Sequence, residues 1–140
     1  MARTFNNLAS AGMAVVTVHV LTVTVHSAAH ASLQIFMAPW QNAYILSVIV
    51  ALPIVAGVLL WRRRQSGFLL LFVSMAGSLV FGGYYHFLAP GPDNISELGH
   101  HAWTIPFQVS AMLLAIIEAA GAAIGVAGLL ANRRRRLNVR

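Results

Sequence analysis

Residues 43–88 read AYILSVIVALPIVAGVLLW, then RRRQS, then GFLLLFVSMAGSLVFGGYYHFL. Two apolar runs flank three consecutive arginines. A bilayer core is about 30 Å thick and takes roughly 20 helical residues at 1.5 Å rise, and each run is long enough to cross it. Working outward, the same pattern recurs on both sides. The sequence predicts four spans: about Leu8 to Leu33, Ala43 to Trp61, Gly67 to Leu88 and Ile105 to Ala131. Backbone polar groups in lipid must be satisfied within each segment, and a closed barrel needs many more strands of alternating polarity. The expected fold is therefore all-α: residues 1–140 form a single polytopic four-helix transmembrane bundle with short loops.

Composition agrees. The chain has 59% hydrophobic residues, only 9% charged residues, no cysteine and a mean hydropathy of +0.76. A soluble domain has about a quarter of its residues charged, so too few charges are present to cover a wet surface. Without cysteine there are no disulfides, thiolate metal sites or dithiol redox chemistry.

The net charge is +6, and its placement carries more information than its size. Arg3 opens the chain, Arg62, Arg63 and Arg64 separate the second and third spans, and Arg133, Arg134, Arg135, Arg136 and Arg140 close it. The other two connections, Ser32 to Asn42 and Ala89 to Thr104, hold no basic residue other than histidine. The positive-inside rule then places both termini in the cytoplasm of a cell inner (plasma) membrane protein. The arginines read as topology signals and anionic-lipid contacts rather than as a nucleic-acid site. Trp40, Tyr84, Tyr85 and Trp103 fall at the outer interface and Trp61 at the inner one, as an aromatic belt. A competing reading takes residues 1–31 as a signal peptide ending in Ala29, His30, Ala31. Its apolar stretch is longer than the usual 7 to 15 residues, and it carries His19 and His26.

Helices in lipid close through small residues. The third span offers Ser74, Ser78 and Gly82 at four-residue steps, and the fourth offers Gly121 and Gly125 with Ala111, Ala115 and Ala122 nearby. Pro53 is expected to kink the second span, while Pro106 suits the first turn of the fourth.

Six histidines in so apolar a chain are the most informative feature. In the first span, His19, His26 and His30 fall within about 40° of one another at 100° per residue. His26 and His30 form an i, i+4 pair whose rings can converge on one metal ion. His86 ends the third span and continues its small-residue stripe, and His100 and His101 precede the fourth. Five histidines thus gather at the outer face, with Asp93 and Glu97 in the same loop. Glu97 and His100 have the E-x-x-H spacing of carboxylate metal sites in bundles. The candidate metal ligands are His26, His30, His86, His100, His101 and Glu97, for copper, zinc or iron. Eleven residues inward, about 16 Å, lie His19, Met75 and Met112 at a common depth. Imidazole with thioether suits copper or haem iron, so His19, His26, His86, His101 and Met75 are candidate cofactor ligands. Glu118 is the only acid within a span; it can hydrogen-bond His19, Ser74 or Ser78, or relay a proton or cation.

These residues point first to metal handling, transport or redox at an outer histidine cluster. A second reading is a haem b electron-transfer protein with opposed axial ligands. A third is an accessory subunit whose small-residue faces pack on a larger membrane complex or on a second copy. Catalysis on a lipid or quinone at the histidines is a fourth; no nucleophile with a base and an orienter is evident.

Overall fold

The structure, a computed structural model, describes residues 2–137. Arg140, and the side chains of Arg3, Arg134, Arg135 and Arg136, lie outside the described residues. Among the described residues there is no strand. The chain forms four helices: α1 (Ala2–Ser32), α2 (Pro39–Trp61), α3 (Ser66–Leu88) and α4 (Thr104–Leu137). Each contains a stretch long and apolar enough to cross a membrane: Thr4–Ser32, Pro39–Trp61, Ser66–Leu88 and Thr104–Ala131. The first two start earlier than the apolar runs suggest. At α2 the reason is local: Pro39 is preset for a first helical turn, and the Ala38 amide donates to Gln41 Oε1 at 2.7 Å.

α4 packs along both α1 and α3, and α2 packs mainly on α3. Arg63 Nη1 donates to the Asn6 carbonyl, so the start of α1 and the α2–α3 turn share one end of the bundle. We call this the arginine end. The opposite, loop end holds the connections 33–38 and 89–103.

Near the arginine end the core is Ala9, Val16, Ala56, Leu60, Phe68, Leu71 and Met75, all buried. Here α4 closes on α3 through glycine. A Cβ on Gly121 would stand 2.7 Å from Met75 Cγ, and one on Gly125 would stand 2.7 Å from the Phe72 backbone nitrogen. Gly128 lies against the Phe68 ring in the same way. Only hydrogen fits at these positions, so the close approach depends on them.

Nearer the loop end two helices change register. Residues Ile45–Ala51 of α2 are π-helical, with the Leu52 amide bonded to the Ser47 carbonyl. The wide turn comes directly before buried Pro53, whose ring excludes an ordinary i to i−4 hydrogen bond. α3 ends in a second π-helical stretch, Tyr84–Leu88, closed by the Ala89 amide on the Tyr84 carbonyl at 2.7 Å. Such wide turns often mark functional positions, and His86 lies in this one.

Candidate metal centre

Three histidines converge below the 89–103 loop. His26 and His30 lie one turn apart on α1, so their rings project from one face, and the π-helical end of α3 brings His86 to meet them. His26 Nε2 is 3.2 Å from His86 Nε2 and 3.2 Å from His30 Nε2. One ligand atom from each ring lies within 4.8 Å of the others. Three nitrogens bound at 2.0–2.1 Å in tetrahedral geometry are about 3.4 Å apart, so the set matches a metal's first coordination shell to within a small closure.

The far sides of two rings fix which nitrogen faces inward. Ser110 Oγ donates to the Pro106 carbonyl at 2.7 Å. The same hydroxyl lies 2.9 Å from His26 Nδ1 and, with its proton on a carbonyl, can accept from it. His86 Nδ1 donates to the Asp93 carbonyl at 3.1 Å, an oxygen that can only accept. With both rings neutral and protonated at Nδ1, the two Nε2 lone pairs would face each other across 3.2 Å. A proton on one ring or a metal ion between them relieves that repulsion.

A carboxylate stands behind the triad. Asp93 Oδ1 lies 3.2 Å from His86 Nδ1 and 3.3 Å from His30 Nε2, and the residue is buried. Histidines that bind metals commonly donate their other N–H to a carboxylate or carbonyl, which fixes the ring and raises its basicity. Asp93 supplies both groups to His86 Nδ1, whereas on His30 its carboxylate meets Nε2, the nitrogen that also faces His26. Asp93 is held there by the loop: Gly91 turns at φ 143°, the Asn94 amide returns to the Gly91 carbonyl, and the Ile95 amide bonds the His86 carbonyl at 3.0 Å. Phe107 is fully buried and forms a common wall, its ring centroid 4.7, 4.9 and 5.5 Å from those of His26, His30 and His86.

The remaining candidates lie elsewhere. His100 and His101 are exposed on the loop, and His101 Nδ1 accepts from the Trp103 amide at 3.2 Å. Glu97 is exposed and accepts from the Gly91 amide at 2.9 Å, so it braces the loop. The structure does not bring these three to the triad. The polypeptide between His86 and α4 folds over the cluster and turns inward at Asp93 and Asn94.

His19 lies deeper and is fully buried; its Nε2 shares a hydrogen bond of 3.2 Å with Glu118 Oε1, and its Nδ1 has no hydrogen-bond partner. This is one of the pairings expected for Glu118. Met75 is also fully buried but sits against Gly121, while Met112 is 45% exposed on the outer face of α4. The Met112 thioether therefore does not join His19 and Met75 in the interior.

Sequence reasoning missed Asp93, Ser110 and Phe107 as parts of the site. Ser110 had a signal: with Leu114 and Glu118 it forms a four-residue stripe on α4, and all three are buried. Comparison with family models, curated proteins and solved structures gives no match for this chain.

Proposed function

We propose that this chain is a four-span membrane protein that binds one transition-metal ion through His26, His30 and His86, for metal handling, transport or redox. The carrying observation is the convergence of three buried or half-buried imidazoles, with one ligand atom from each within 4.8 Å of the others and His26 Nε2 3.2 Å from both His30 Nε2 and His86 Nε2. Three neutral imidazoles suit zinc, copper or iron. The geometry favours an ion over haem b, because axial haem ligands stand on opposite faces of a porphyrin, and nitrogens 3.2 Å apart leave it no room.

The outer surface supports a lipid setting. Leu21, Leu46, Val80 and Ile116 are all more than 60% exposed. The hydroxyls of Thr17, Thr22, Thr24 and Ser32 donate to carbonyls one turn back in α1, which hides them from an apolar surrounding. The arginine clusters orient the chain with both termini cytoplasmic, so the metal centre lies at the extracytoplasmic side.

The test is metal analysis of protein purified in detergent after equilibration with zinc, copper(I) or iron(II). About one equivalent of at least one ion is expected in the wild type and none in the His26→Ala, His86→Ala double variant. A full equivalent retained by a folded double variant would sink the proposal.

A further inference from the structure

A cavity of about 380 Å³ adjoins the triad and runs inward to Glu118, within the range of small-molecule sites. His26, His30, His86 and Asp93 line one end, and Ser78 and Glu118 line the other. Between these polar ends the walls are apolar, with Phe81, Ile45, Ile49, Leu114 and Ala115. It arises where α2 departs from α1: the π-helical segment packs on α3, and the gap against α1 stays open. Ser27, Ala31 and Phe36 line that gap and are exposed on the apolar outer surface, Phe36 by 82%. Met75, which fills the space beside Gly121, is not among the lining residues.

We infer that this cavity binds a lipid-soluble, quinol-like molecule: one aromatic ring with an oxygen at each end and an apolar tail. The inference rests on the metal-centre reading. Three histidine ligands would leave a tetrahedral ion one further position, and because the triad lines the cavity an oxygen of the ligand could supply it. At the far end Glu118 keeps one carboxylate oxygen on His19, and Oε2 has no protein partner among the described residues. Ser78 Oγ donates to the Ser74 carbonyl and so can accept. Eight residues, about 12 Å of helix, separate Ser78 from His86 and Ser110 from Glu118. A single ring bridges this once a metal–oxygen bond of about 2 Å and a hydrogen bond of about 2.8 Å are added. The tail leaves between α1 and α2, where both walls are apolar. A cavity with polar groups at its two ends suits a bound molecule better than an ion in transit.

The experiment uses the full chain in lipid nanodiscs, loaded with redox-inert zinc, and a decyl-substituted 1,4-benzoquinol as probe under anaerobic conditions. Saturable binding of about one equivalent above empty nanodiscs is expected. Ala115→Phe and Ile49→Phe fill the cavity from opposite walls, and each should weaken binding at least tenfold while keeping its zinc. Absence of saturable binding, or wild-type affinity in a variant that holds its zinc, would overturn the inference. Failure of the wild type to take up zinc would instead strike the metal-centre reading on which it depends.

Discussion

From Glu118 toward the arginine end, α4 presents Gly121, Gly125 and Gly128 to Met75, Phe72 and Phe68, and no space remains between the helices. From Glu118 toward the loop end, α4 presents Ala115, Ala111 and Ser110, α3 presents Ser78, Gly82 and His86, and the two helices flank a cavity. The same pair of helices thus makes a rigid half and an open half. Small residues are present in both, so small size alone does not decide closure. The difference lies in what they meet: large apolar side chains in one half, and in the other three imidazoles, an aspartate and a wide-turned α2 that stands away from α1. Tight packing in the first half holds the backbones that position the second, so that His26 and His86, from different helices, come within 3.2 Å.

The sharpest way to break this comparison is one methyl group placed in each half. At Gly125 the new Cβ meets backbone, 2.7 Å from the Phe72 nitrogen and 2.9 Å from the Phe68 carbonyl oxygen, which cannot rotate aside. Gly125→Ala should cost about 3 kcal/mol and lower the thermal midpoint by several degrees. At Gly82 the nearest atom is His86 Cδ2 at 3.6 Å, an ordinary contact, so Gly82→Ala should stay within about 0.5 kcal/mol. Thermal unfolding in one detergent, monitored by circular dichroism, compares them. Equal losses would mean that the two halves are packed alike.

A smaller effect is expected behind the metal centre. Asp93→Asn keeps the backbone carbonyl that holds His86 Nδ1 but removes the carboxylate charge near His30 and His86. Loss of such a supporting group typically lowers metal affinity 10- to 100-fold, and competition with a chelator of known affinity measures it. Unchanged affinity would leave Asp93 as a loop anchor only.

Much of this architecture is legible in the sequence, for definite reasons. The four helices follow from hydropathy, because each contains an apolar stretch long enough to cross a membrane. His26 and His30 are legible from helical spacing, and His86 from the stripe it shares with Ser74, Ser78 and Gly82. Legibility ends where backbone leaves the regular helix. Asp93 and Glu97 are four residues apart in one loop, and hydrophobic pattern cannot tell them apart. Their fates are set by the turn at Gly91 and the Ile95 amide on the His86 carbonyl, which bury the first and leave the second bracing the surface. His100 and His101 share the region of the triad but follow that turn outward. The cavity is likewise absent from the pattern, because it depends on the π-helical register before Pro53.

Whether three imidazoles from α1 and α3 hold one ion is read out by X-ray absorption spectroscopy of the zinc-loaded full chain. The account predicts three imidazole nitrogens at about 2.0–2.1 Å, with that signature lost in the His26→Ala, His86→Ala variant. A shell of oxygen atoms alone, or an imidazole shell that survives the double substitution and disappears on changing His100 and His101, would contradict it.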